Sequence, residues 1–330
     1  MFRREQKKAL DQFGDLFLPS EAAEPILAKP VRGALTEWLT EIWAEAELTA
    51  VGIKPRRRAI FDGPPGVGKT TLAHHLAARL GLPMLAVRPE RVISKWVGET
   101  GQNLGELFDG AAAGLRLADG STTPIVLFLD EFDALSRQRR RGEQASDDSR
   151  NEEVNTLLQR LEQHAGFLIA ATNFGEHIDQ AIWRRFDMHI TLELPGQGER
   201  ERIIARYLDP YGLPKASLTA LAEALNLASP ALIRALCENI KRQIIIGPKL
   251  KSDMARDAVF DRVLASCHPH PDLGKPRLWS LMSQDHAIRS MPWPLPKAAD
   301  LPAMEAAANE ADPSPAPAGD RTVIPFGGRP

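Results

Sequence analysis

The chain has 330 residues, enough for one large domain or two ordinary ones with a sizeable core. A quarter of the residues are charged and the formal net charge is −2, so no bulk field points to nucleic acid or to an anionic membrane surface. The two cysteines, Cys237 and Cys267, make no disulfide framework, the basic start at residues 1–8 lacks the apolar stretch of a signal peptide, and the apolar run at 124–129 is too short to span a bilayer; the expectation is a soluble, cytoplasmic protein without a membrane partner.

In chain order, residues 1–24 are short, mixed and expected to be poorly ordered. Ile26, Leu27, Val31, Leu35, Trp38, Leu39, Ile42 and Trp43 recur at three- and four-residue steps and predict a helix over 25–48. From Arg58 to about residue 198, strand candidates at 58–62, 84–88, 124–130, 167–172 and 189–194 alternate with helices. That alternation predicts an α/β domain over 25–198, with a mostly parallel sheet covered on both faces. From Glu199 the pattern is purely helical, at 199–207, 216–226, 230–246 and 253–266, which predicts a small helical second domain over 199–270. Residues 271–295 form an extension without a clear pattern, and 296–330 a tail rich in proline and alanine that buries too little apolar surface to fold. Val323-Ile324-Pro325-Phe326 is an apolar island in that tail, open to reading as a docking peptide or as an unstructured end.

The segment Gly63-Pro64-Pro65-Gly66-Val67-Gly68-Lys69-Thr70 fits the phosphate-binding pattern G-x-x-x-x-G-K-[ST]. Glycines at 63, 66 and 68 let the backbone wrap a polyphosphate closely, because they carry no Cβ. Loop amides and the following helix N-terminus, entered through Thr71, point at phosphate oxygens. Lys69 supplies a mobile cation for the β- and γ-phosphates, and Thr70 a hydroxyl for Mg²⁺. The context is a short buried strand before the loop and a helix after it, ended by Gly81.

The strand at Ile125–Leu129 delivers two adjacent carboxylates, Asp130 and Glu131. Asp130 suits the Mg²⁺ shell, and Glu131 suits orientation and polarisation of the attacking water. Phe167–Thr172 is another apolar strand, followed by Asn173, which could reach the γ-phosphate or the water or could simply cap a turn. Eleven residues on come Arg184 and Arg185, open to reading as a solvated face or as arginine fingers acting on a neighbour.

In combination, the phosphate loop, the Leu-Asp-Glu strand end, Ala171-Thr172-Asn173 and the block Ile178-Asp179-Gln180-Ala181-Ile182-Trp183-Arg184-Arg185-Phe186-Asp187 closely resemble the AAA family of ATPases. The resemblance covers about residues 25–246. It implies a P-loop α/β domain with a helical lid, ATP and Mg²⁺ as ligands, and assembly as a ring, usually of six. It further implies that Asn173 is a sensor and that Arg184 and Arg185 act in trans on the next subunit's nucleotide. Lys95-Trp96-Val97-Gly98 resembles the family's first pore loop, whose aromatic side chain grips a threaded polypeptide; a lone tryptophan would otherwise read as core. Residues 137–141 with Asp147 and Asp148 read equally as a second pore loop or a solvated loop.

The sequence also departs from the family pattern. The Asp-Gly-Phe often found before the Ala-Thr-Asn strand is missing, and Ser229-Pro230-Ala231-Leu232-Ile233-Arg234 carries Pro230 where the family has glycine. Leu232 occupies the place of the second sensor arginine of the wider superfamily, and Arg234 reads as a doubtful substitute on another face of its helix. No large N-terminal substrate domain is expected, and the sequence contains no His-Glu-x-x-His. Cys267-His268-Pro269-His270 has metal-ligand types without a second pair, and reads by default as a proline-kinked turn. The function expected is an ATP-driven remodeller that threads protein clients, supplied directly or through an adaptor or separate protease. An assembly switch without threading is the alternative. A DNA-acting motor is disfavoured by the neutral charge and the pore triplet.

Overall fold

A computed structural model describes residues 10–94, 99–117, 119–136 and 145–303, with residues 145–153 as backbone only. Its centre is a six-stranded sheet of β1 (Gly14–Phe17), β2 (Arg58–Asp62), β3 (Met84–Val87), β4 (Val126–Leu129), β5 (Phe167–Thr172) and β6 (Met188–Thr191). The spatial order is β1-β3-β4-β5-β2-β6, parallel throughout except for the antiparallel β1–β3 pair. Alternation along each strand fills two layers, since successive side chains point to opposite faces. Ile60, Leu85, Leu127 and Leu168 face one core, together with Leu104, Leu107 and Phe108 of α3 (Glu99–Ala113) and Leu157 and Leu161 of α4 (Ala145–Gln163). Ala59, Phe61, Phe128 and Ile169 face the other, against Leu35, Trp38 and Leu39 of α1 (Lys29–Trp43) and Leu72 and Leu76 of α2 (Lys69–Arg79). Burial on both faces explains why β2, β4 and β5 read as near-continuous apolar runs.

Three expectations need correction. Residues 10–24 are ordered: β1 pairs with β3 from Gly14↔Val87 to Phe17↔Met84, and Leu10 and Phe13 are buried beside it. A four-residue edge strand is too short to leave a period, and its order comes from the long-range pairing. The helix expected over 25–48 is two helices, Lys29–Trp43 and Glu45–Ala50, with Ile26 and Leu27 in the preceding extended segment. Finally, the start of the tail, residues 296–303, is built into the fold. Lys297 bridges Tyr211, the Ala298 N–H donates to the Pro210 carbonyl at 2.9 Å, and 298–300 form a 3₁₀ turn. Residues 304–330 lie outside those described.

The second domain packs α5 (Gln197–Leu208), α6 (Lys215–Ala224), α7 (Pro230–Ile246) and α8 (Arg256–Ser266) around one apolar cluster. Ser229 caps α7 by accepting the Leu232 N–H at 3.3 Å, and Pro230 occupies the first turn, where its missing N–H is harmless. The 271–295 extension belongs to this core. Leu278, Trp279, Ile288, Met291 and Leu295 insert into it, and the Trp279 indole donates to the Cys267 carbonyl at 2.6 Å. Trp279→Ala should therefore cost about 3–5 kcal/mol of lid stability in chemical denaturation. A loss below about 1 kcal/mol would mean that the extension merely drapes the lid.

Candidate nucleotide site

The strand order puts the chemistry in one row. Neighbours β4, β5 and β2 are parallel, so their carboxyl ends deliver Asp130 and Glu131, Asn173 and the phosphate loop side by side. The loop leaves β2 at Gly63, where φ is 149° and a Cβ would meet the Leu192 carbonyl oxygen at 2.1 Å. Gly66, at φ 78°, lies against the Ser229 hydroxyl of the lid, and its carbonyl accepts the Ala231 N–H at 3.1 Å. The lid helix α7 is thus hydrogen-bonded directly to the phosphate loop. Gly68 precedes α2 in the left-handed conformation, which turns the loop into the helix N-terminus.

Lys69 is buried. Its ammonium donates to the Gly63 carbonyl at 2.6 Å, the Pro64 carbonyl at 3.1 Å and Asn173 Oδ1 at 2.6 Å. Burial lowers its pKa, against the opposing pull of Asp130, Asp62 and Asp133. The cation is held at the phosphate position by groups that a triphosphate would replace with stronger, charged acceptors. Thr70 Oγ1 donates to Asp130 Oδ2 at 2.9 Å, and Asp130 Oδ1 accepts the Glu131 N–H at 2.9 Å. These are hard oxygen donors, the type Mg²⁺ takes, and they fit it beside the phosphates. Glu131 is exposed at φ 46° and ψ 44°, a left-handed conformation that a non-glycine residue holds at a cost of order 1–3 kcal/mol. Behind it, Thr172 Oγ1 donates to Asp133 and accepts the Phe174 N–H, which fixes the turn that presents Asn173.

These groups line one open cavity of about 330 Å³, shared by Pro65, Gly66, Gly68, Lys69, Thr70, Thr71, Asp130, Glu131 and Asn173 with Tyr207, Pro230, Ala231 and Arg234 of the lid. Arg234 therefore does face the site, contrary to its reading as lying on another side of α7. Its guanidinium sits 5.4 Å from the Tyr207 ring centroid and pairs with Glu238 at 2.7 Å. Leu232 instead packs toward the lid core. Sequence reasoning missed Tyr207, because nothing in the α5 pattern distinguishes it from any half-buried aromatic.

Arg184 and Arg185 are not among the cavity residues of their own chain. Arg184 is exposed at the end of the short helix Gln180–Trp183, whereas Arg185 forms an ion pair with Glu162. The rest of that block is structural. Asp187 accepts the Arg57 and Arg58 backbone N–H groups and pairs with the Arg58 guanidinium at 3.1 Å, and Phe186 packs edge-on against Phe132. Lys95, Trp96, Val97, Gly98 and residues 137–141 lie outside the described residues, as do the side chains of Asp147 and Asp148. In the Cys267–His270 turn, the Cys267 sulfur accepts from Asn239 at 2.8 Å, and no cluster of metal-binding side chains occurs among the described residues. No helix among them is long and apolar enough to cross a membrane.

Residues 59–194 match the family model described as ATPase family associated with various cellular activities (AAA). An uncharacterised AAA family ATPase, y4kL, of Sinorhizobium fredii is 36% identical over 226 residues, 66% of this chain and 62% of the relative. The ATP-dependent zinc metalloprotease FtsH 4 of Sphaerobacter thermophilus is 32% identical over 222 residues, 65% of this chain and 32% of that protein. The chain thus spans less than two thirds of the length of these relatives. The crystal structure of the FIGL-1 AAA domain superposes with a TM-score of 0.61 at 21% identity, covering 82% of this chain and 91% of that one, a likeness of fold. Sheet order, phosphate loop and paired carboxylates define a P-loop nucleotide-binding module with a helical lid. More narrowly, the chain carries an ATPase module of the AAA family.

Proposed function

We propose that the chain hydrolyses ATP within a ring of six copies and threads protein clients through the central pore. The observation that carries this reading is a site furnished on one side only. One chain supplies the phosphate loop, Asp130, Glu131, Asn173 and the lid wall, while Arg184 and Arg185 sit elsewhere on its surface. A neighbouring copy would bring those guanidiniums to the γ-phosphate, where transition-state charge develops.

The geometry supports a division of labour. The loop amides and Lys69 would hold the phosphates, and Thr70 and Asp130 would hold Mg²⁺, which would neutralise charge on the phosphate oxygens. Glu131 orients and polarises the attacking water, and Asn173, already bonded to Lys69, links that position to the γ-phosphate. The bond between the Ala231 N–H and the Gly66 carbonyl lets changes at the phosphates reach the lid. Trp96 would grip an extended polypeptide by nonspecific packing.

Trp96→Ala tests the threading step. It should keep basal ATP turnover and lose the stimulation of that turnover by unfolded casein. If both persist, the chain does not thread, and the assembly switch becomes the better account.

A further inference from the structure

We propose that the C-terminal end of α7 is a docking surface for this chain's own tail, and that it receives the Val323-Ile324-Pro325-Phe326 segment. α7 ends in exposed Ile245 and Ile246, and Leu250, which follows, is 70% exposed. Three large apolar side chains within six residues, all turned to solvent, contrast with the well-buried lid core beneath them. Beside them lies a shallow groove of about 280 Å³ lined by Glu238, Lys241, Arg242, Ile245 and Ile246. Lys241, Arg242, Lys249 and Lys251 outnumber the acids Glu238 and Asp253 around it. Arg242 is paired with Glu238 at 3.8 Å, while Lys249 and Lys251 are exposed. The surface is apolar at its centre and basic at its rim.

The start of the tail is anchored close to this surface, five residues before the last described one. Ala298 is hydrogen-bonded to the Pro210 carbonyl, and the adjacent Asp209 carbonyl accepts the Lys241 ammonium at 2.9 Å. Ile245 stands four residues farther along α7, about 6 Å by helical rise. Nineteen residues lie between Ala303 and Val323. At about 3.3 Å per residue a segment of that length can extend to roughly 60 Å, so it is long enough to reach the groove.

The composition of the segment is complementary. Glu305, Glu310, Asp312 and Asp320 precede the apolar island, with Arg321 the one cation between Met304 and Phe326. A proline between two large apolar residues favours an extended backbone and lowers the ordering entropy lost on docking. Acidic residues meet the basic rim while Ile324 and Phe326 cover the isoleucines. The groove and the nucleotide cavity share no lining residue, and the Glu238–Arg234 ion pair is the link between them.

The test uses the full chain with the photo-crosslinking residue p-benzoylphenylalanine at position 326, in an equal mixture of isotopically light and heavy protein. Crosslinks concentrated on residues 238–251 are expected within one mass label. They should fall at least tenfold in Ile245→Glu/Ile246→Glu, a change at exposed positions that leaves the lid core intact. A circular dichroism melt within a few degrees of the parent checks that the variant folds. Crosslinks elsewhere on the lid, none above background, or no loss in the variant would overturn the proposal. Crosslinks joining light and heavy chains would also overturn docking in the same chain and would assign the surface to a second copy.

Discussion

Glu131→Gln should bind ATP normally and hydrolyse it about 10²-fold or more slowly, the usual loss when a positioned general base is removed. The expectation rests on how the residue is held. Asp130, not Glu131, is bonded to Thr70, so the exchange leaves the oxygens that suit Mg²⁺ in place. The Glu131 N–H remains tied to Asp130 Oδ1, and the backbone is already in the left-handed region that sets the side chain at the cavity edge. Glutamine keeps the size of glutamate and loses only its basicity and charge. Single-turnover hydrolysis beside binding of a fluorescent ATP analogue separates the two effects. Near-normal turnover would remove Glu131 from its role; loss of binding would make it a structural support of the site.

The second large effect concerns the arginines. Arg185→Ala and Arg184→Ala should each abolish most turnover, since such a guanidinium is worth on the order of 10³ or more in rate. Neither residue lines its own chain's cavity, so the defect should be repairable from outside. Mixed with Lys69→Ala subunits, which bring intact arginines and a disabled phosphate loop, either arginine variant should recover part of its activity. Random assembly of equal amounts places a sound loop beside sound arginines at about one quarter of a ring's interfaces. Arg184, exposed and free of the Glu162 pairing that holds Arg185, is the more readily presented to a neighbour. Silence in every mixture would count against fingers acting in trans.

How far the sequence carries depends on the range of the interactions involved. Strands β2 and β5 fall at the expected residues, because full burial on both faces makes each a continuous apolar run bounded by polar residues. Helix α7 likewise runs over the expected 230–246, punctuated by Ser229 and Pro230 at one end and Gly247 at the other. The phosphate loop is legible because its backbone geometry demands glycine at fixed spacing. Less visible is whatever long-range packing decides. β1 exists because β3 offers an edge, and Leu10 and Phe13 are buried only once that pairing forms. Trp279 and Ile288 are core residues without a periodic pattern, because the 271–295 extension reaches the lid through short turns. Helix spacing from Leu232 puts Arg234 on another face of α7, whereas its long side chain, at the exposed start of the helix, reaches the cavity beside Tyr207.

The measurement that bears most directly on the shared site is the solution mass of the Glu131→Gln protein with and without ATP and Mg²⁺. The account predicts a shift on adding ATP to a particle of about six subunits, because the trapped triphosphate would join each cavity to its neighbour's arginines. A monomer under both conditions would contradict it.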